Sequence, residues 1–197
     1  MSATNANILP RDFYLRDTVT VARELLGKRV VNMVNGLRVS GIITETEAYL
    51  GPNDSACHAS KGRTPRTEVM FGPGGHAYVY LCYGMHHMLN IVTGPPNVAE
   101  AVLVRALRPQ ENMDVMRISR KTGGDDKHLA DGPGKLCQAL NIYKDTHNGL
   151  DLTTGETLWL EPCALVDQWQ ISITPRIGIN YAAPQDVDAP LRFVLTL

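Results

Sequence analysis

The sequence predicts an α+β fold: a single mixed domain in which helices surround a curved antiparallel β-sheet core. Three observations predict it. Two β-branched, apolar segments at residues 29–34 and 37–49 flank Asn35-Gly36, the dipeptide that best fits the left-handed positions of a type I′ hairpin turn. A second pair of apolar and aromatic segments, at residues 76–83 and 86–93, surrounds a break at Gly84. Helix-start signals fall at Asp17, ahead of the first strand segment, and at Pro109 and Pro133, between later ones, with no internal repeat or low-complexity tract along the chain. With 197 residues, 44% of them hydrophobic, the chain is long enough to fill one sizeable core, and residues 1–197 read as one domain.

Taken in order, residues 1–10 are Ser, Thr, Asn and Ala-rich and read as a flexible N-terminus. Asp17 or Thr18 can cap a helix whose positions Val21, Ala22, Leu25 and Leu26 fall on one side, with Gly27 ending it. In the strand after Asn35-Gly36, the side-chain period of two puts Ile43, Glu45, Glu47 and Tyr49 on one face, provided no bulge interrupts it. Residues 51–75 are rich in Gly, Pro, Asn, Asp and Ser and contain Lys61, Arg63 and Arg66. This is a long ordered loop, a kind of segment that often carries function. A third strand is expected at residues 99–107. Pro109 can start a helix running to residue 121, and Pro133 one running to residue 140, each ring at a tolerated first-turn position. The last strands are expected at residues 158–162, 169–173 and 191–195.

Composition narrows the class. The first residues show no basic segment followed by an apolar one, and no run approaches the ~20 apolar residues of a membrane span, so a cytoplasmic protein without a membrane partner is expected. Cys57, Cys82, Cys137 and Cys163 are scattered without a C-x-x-C pair, which argues against a disulfide framework or a structural zinc site. The net charge is −1, unlike the broad basic footprint of many nucleic-acid binders. Residues 58–136 nevertheless carry ten Lys or Arg against seven Asp or Glu, whereas residues 137–197 carry three against seven, so a basic face is permitted.

The stretch with most chemical content is Glu45-Thr-Glu-Ala-Tyr49, then His58, with Tyr78, Tyr80, Tyr83 and Asn90 downstream. It collects a carboxylate, stacking rings and hydrogen-bonding side chains. Pattern alone leaves a plainer reading open: alternate strand glutamates ordinarily face solvent, and strand tyrosines ordinarily pack. His86-His87 are adjacent on a strand, so their rings point to opposite faces and make a poor metal pair.

At these residues the chain resembles the alkyladenine (3-methyladenine) DNA glycosylases, the mammalian and Bacillus-type enzymes that excise alkylated purines, hypoxanthine and ethenoadenine. The likeness runs through Ala22-Arg-Glu-Leu-Leu-Gly27, Glu45-Thr-Glu-Ala-Tyr-Leu-Gly-Pro52, Thr64-Pro-Arg66 and Tyr78-Val-Tyr80 with Tyr83-Gly-Met85. It continues through Val104-Arg-Ala-Leu107, Gly132-Pro-Gly-Lys-Leu-Cys137, Pro175-Arg-Ile-Gly178 and Pro190-Leu-Arg-Phe193.

The resemblance implies a base-excision enzyme acting as a monomer on double-stranded DNA that contains damaged purines. It implies no cofactor and no metal. Glu47 would activate the attacking water, with Glu45 its neighbour. Tyr49 and Tyr80 would sandwich the flipped base, His58 would help close the pocket, and Asn90 would crowd the exocyclic amino group of guanine. Tyr83 and Met85, on a protruding hairpin, would enter the DNA where the nucleotide has left, as wedging side chains do elsewhere. Arg66, Arg105 and Lys135 would meet the DNA backbone, helped by Lys61 and Arg63, with Lys135 near a helix start where free N–H groups favour an anion. The motif around Glu47 holds no lysine, which implies a monofunctional glycosylase. Two other classes stay open on the residues: a protein that flips lesions without cutting, and a metal hydrolase using Glu47, His58 and His86.

Overall fold

The computed structural model describes residues 8–122, 125–163 and 170–196. Helices α1 (Arg11–Tyr14) and α2 (Thr18–Leu25) lead into the hairpin of β1 (Arg29–Val34) and β2 (Leu37–Tyr49). Asp17 caps α2 by accepting from the Thr20 N–H at 2.8 Å. Asn35 and Gly36 take φ of 50° and 80°, and Val34 pairs with Leu37, the two-residue turn the dipeptide predicts. A second hairpin, β3 (Ala77–Cys82) and β4 (His86–Thr93), follows the loop of residues 51–75, which is ordered by three short 3₁₀ turns. Then come β5 (Glu100–Glu111), α3 (Met113–Arg120), α4 (Pro133–Ala139), α5 (Lys144–His147), β6 (Leu158–Glu161), β7 (Gln170–Thr174), α6 (Pro184–Val187) and β8 (Arg192–Thr196).

Every strand pairing is antiparallel, and the main sheet runs β3-β4-β5-β2-β1-β6. Strand β2 is long enough to be shared: its first half pairs with β1, and its residues 45–47 pair with β8, which carries β7. The sheet curls, and the register between β2 and β5 shifts at Ser40/Gly41 and again between Ile43 and Thr46. The second irregularity corrects the expected facing. Ile43 packs in the core with Val39, and after the bulge it is Thr46 and Ala48 that face inward, Thr46 donating its hydroxyl to Ala22 O at 2.8 Å. Glu45, Glu47 and Tyr49 therefore share the face opposite to Ile43. An extra residue reverses the phase of a strand.

The first irregularity explains a second correction. Pro109 starts no helix; it lies within β5 opposite Gly41, where a bulge tolerates a missing N–H. A side chain at Gly41 would begin 3.0 Å from Leu107 Cβ and 3.1 Å from Arg108 O, so any larger residue here would have to push its neighbours aside by a few tenths of an ångström. The helix begins instead at Met113, after Asn112 turns through φ 54°.

The main core lies between one sheet face and helices α2 and α4, joining Val21, Leu25, Ile43, Val104, Leu136 and Ile91. Alternation then sends Tyr78, Val92 and Ala101 to the other face, where they form a smaller cluster with Cys57 and Met70 beneath the 51–75 loop. Leu9, within the stretch expected to be flexible, is buried, and its N–H donates to Leu160 O at 2.9 Å. Trp169, expected to open a strand, lies outside the described residues. Among the described residues no helix is long and apolar enough to cross a membrane, and none of the four cysteines forms a disulfide.

Candidate active site

The site grows on the face of the sheet that the helices leave uncovered. Glu47, with no solvent exposure, is held by three donors. Tyr49 Oη and Arg105 Nη1 reach Oε2 at 2.8 and 3.3 Å, and the Ile177 N–H reaches Oε1 at 2.8 Å. Burial pushes the Glu47 carboxyl above its ordinary pKa, and Arg105, the Ile177 amide and the Tyr49 hydroxyl oppose that rise without cancelling it. Glu45 is bound differently, its Oε1 accepting from Arg105 Nε at 2.9 Å and Arg192 Nε at 2.6 Å. Two guanidinium groups thus neutralise Glu45, while Glu47 shares only Arg105.

Beside this carboxylate is a narrow pocket of ≈ 40 Å³, walled by Tyr49, His58, Tyr80, Asn90 and Tyr181 over a floor that includes Met70. It opens beside a cleft of ≈ 450 Å³ to which Tyr83, Arg66, Arg105 and Ile177 contribute. His58 packs edge-on against Tyr80, ring centroids 4.5 Å apart. Its Nε2 faces Arg66 Nη2 at 3.3 Å. Since a guanidinium can only donate, Nε2 accepts, and Nδ1–H donates to Tyr78 Oη at 2.9 Å. Burial and the nearby Arg66 and Lys61 charges lower the His58 pKa to about 4, so the ring is neutral at physiological pH. Asn90 is fixed at the pocket wall by donating from Nδ2 to Tyr78 O at 3.1 Å.

The expected wedge stands clear of the body. Tyr83 is 90% and Met85 69% exposed, on a turn closed by Met85 N–H donating to Cys82 O at 3.1 Å. Tyr83 and Gly84 both have positive φ, 50° and 70°. Of the expected backbone contacts, Arg66 lies at the cleft with its guanidinium 5.1 Å from the Tyr80 ring centroid. Lys135 sits in the first turn of α4, 2.7 Å from Asp131. Arg105 is largely buried between the two glutamates, which makes it first a partner of Glu47. Among the described residues no group of three or more His, Cys, Asp or Glu could hold a metal ion, and Glu47, His58 and His86 form none.

The profile of the family described as Methylpurine-DNA glycosylase (MPG) matches residues 12–196. The chain belongs to this family. Relatives from Methanocella arvoryzae and Carboxydothermus hydrogenoformans are each 48% identical to it, over 186 and 188 residues. They cover 94% and 95% of this chain and 91% and 95% of their own. One from Bacillus cytotoxicus is 46% identical over 194 residues, 93% of this chain and 94% of its own. All three carry 3-methyladenine DNA glycosylase in their names. As a methylpurine-DNA glycosylase family member, the protein is a DNA glycosylase, a hydrolase of N-glycosyl bonds.

In this glycosylase several site residues had no signal of their own. Arg176 and Asp54 form a buried ion pair, Nη2 to Oδ1 at 2.9 Å, and the Arg176 guanidinium also lies 4.8 Å from the Tyr49 ring centroid. That pair anchors the loop whose next amide, Ile177, binds Glu47. Nothing local marks such a role, although Pro175-Arg-Ile-Gly178 belongs to the family resemblance. Tyr181, which completes the pocket rim, is likewise unmarked; Tyr78, singled out in the sequence without a role of its own, is the buried partner that orients His58.

Proposed function

We propose that this glycosylase hydrolyses the N-glycosidic bond of an alkylated or deaminated purine that has flipped out of duplex DNA, with Glu47 activating the water. The observation that carries this reading is a fully buried carboxylate, ringed by donors, beside an aromatic-walled pocket. A flipped base loses its stacking, and flat rings such as Tyr49 and Tyr80 replace it. A base made cationic by alkylation gains further from a tyrosine face.

In the reaction the bond between the base nitrogen and C1′ breaks, its electrons leave with the base, and the sugar develops oxocarbenium character. A water oxygen bonds to C1′ and Glu47 accepts the water proton, which it later returns to solvent; a cationic alkylated base leaves neutral, a neutral purine leaves as an anion that takes a proton from solvent, and an abasic site and a free base result. The carboxylate also offsets positive charge on the sugar, while Arg105, Tyr49 and the Ile177 amide hold it in place. No lysine lines the pocket or the adjoining cleft among the described residues, which supports a monofunctional hydrolase. Tyr83 and Met85 fit the space left by the flipped nucleotide, and exclusion of guanine falls to Asn90.

Glu47→Gln keeps the side-chain shape and removes the base. It is expected to bind a hypoxanthine-containing duplex with near wild-type affinity while base release falls by about 10²–10⁴-fold, scored as alkali-labile abasic sites. Wild-type turnover in that variant would refute the role of Glu47, and a borohydride-trapped adduct with the native protein would refute the monofunctional mechanism.

A further inference from the structure

We propose that Tyr181 determines which purines the pocket admits, as the one exposed side chain in the pocket wall. The inference rests on the base-excision reading above. Among the pocket residues described, Tyr181 alone is exposed, at 69%, whereas every other is buried or half-buried. Its hydroxyl donates to Ala56 O at 3.0 Å and so ties the loop after Ile177 to the opposite rim.

That tie is part of a broader clasp between the two loops. Ala183 N–H donates to Ser55 Oγ at 2.8 Å, Ser55 N–H donates to Asp186 Oδ2 at 3.0 Å, and Arg176 Nη2 donates to Asp186 O at 3.1 Å. The Tyr181 ring is therefore held at a fixed place although most of its surface meets water.

What lies on its other side gives that position its consequence. Next to the narrow pocket of ≈ 40 Å³ is a hollow of ≈ 560 Å³ bordered by Ser60, Lys61, Thr64, Arg66 and Thr67. Tyr181 lines both spaces. The inner walls, such as Met70 and Tyr78, belong to a packed cluster, and trimming them would leave a cavity in the protein. Ala56, Cys57 and His58 also line both spaces, but of these four Tyr181 alone is exposed, so trimming it costs no core packing and widens the pocket toward the hollow. A purine that carries extra atoms toward this rim meets the Tyr181 ring, whereas hypoxanthine, with only the purine skeleton and one oxygen, does not depend on that space.

The test compares single-turnover excision from duplexes holding ethenoadenine, with its added ring, or hypoxanthine, in the native protein, Tyr181→Ala and Tyr181→Phe. Tyr181→Ala is expected to raise the ethenoadenine-to-hypoxanthine rate ratio about tenfold, the scale at which pocket size discriminates. Tyr181→Phe, which loses the tie to Ala56 but keeps the ring, is expected to keep the native ratio. Thermal melts of the three proteins check that the fold is intact. An unchanged ratio in Tyr181→Ala, with both rates falling together, overturns the proposal, as does a Phe variant that shifts the ratio as far as Ala does. Native protein that releases neither base contradicts the base-excision reading itself, and is told apart from those outcomes by the hypoxanthine arm alone.

Discussion

At the scale of single residues, Glu47 shows how a fold can prepare a carboxylate for proton transfer. Full burial raises its pKa and Arg105 pulls it back, so the carboxyl loses its proton above the ordinary glutamate value near 4.5. Glu47 must be ionised to accept a proton. Excision is thus expected to fall as pH drops through a midpoint above 4.5. Replacing Arg105 with Met leaves burial less opposed, so the acid limb moves to higher pH in a single-turnover rate profile. A limb that stays in place would show that Arg105 has no electrostatic hold on the reacting group. The His58 pKa, lowered to about 4, lies below that midpoint, and a neutral ring suits a pocket that receives cationic bases.

At the scale of elements, the β3–β4 hairpin joins local strain to function. Tyr83 adopts φ 50°, a conformation that costs a bulky non-glycine residue of order 1–3 kcal/mol, yet its side chain packs against almost nothing. Tyr83→Gly is therefore expected to leave the melting temperature unchanged or slightly higher, and to weaken binding to lesion-bearing duplex. A clear loss of thermal stability would mean that the ring contributes to the fold and not to a DNA wedge. The two hairpin turns were legible in the sequence because Asn35-Gly36 and Gly84 act through their own backbone preferences. The starts of α2 and α4 were legible because Asp17 caps locally through its side chain and the Pro133 ring fits a first helical turn. Pro109 was not, since its tolerance within β5 depends on Gly41, 68 positions away along the chain. The bulge after Ile43 was invisible to a strict period of two, although Glu47 and Tyr49 still shared a face because both follow it. Helices of four residues, such as Arg11–Tyr14 and Pro184–Val187, are too short to show an apolar period. Within the site, the rings and acids on adjacent strands could be listed from sequence, but the contacts from Arg176, Ile177 and Tyr181 arise only when the C-terminal loop folds back.

At the scale of the whole molecule, that returning loop links stability to activity. Arg176 and Asp54 are both buried, so Arg176→Met would strand a carboxylate in the interior, at a cost of about 3–5 kcal/mol. It would also loosen the amide that holds Glu47, so excision per folded molecule is expected to fall along with the denaturation midpoint; loss of stability with undiminished single-turnover rate would separate the two. The same economy of charge shapes DNA binding. The net charge is −1, and two cations are already engaged inside the protein, Arg105 with Glu45 and Glu47 and Arg176 with Asp54, while Arg63 is held at the surface by Glu68, Asn97 and the Phe71 ring. The cations near the cleft that can meet phosphates are Lys61, Arg66 and Lys135, the last held only by an exposed pair with Asp131, which is worth little. About three phosphate contacts give a slope near −3 in a plot of log affinity against log salt concentration, measured by anisotropy on an undamaged duplex. A slope steeper than about −6 would mean that cations well beyond these three meet the DNA. With so shallow an electrostatic contribution, discrimination between damaged and normal DNA falls mainly to the pocket and the wedge, and a lesion duplex should keep most of its advantage over an undamaged one as salt is raised.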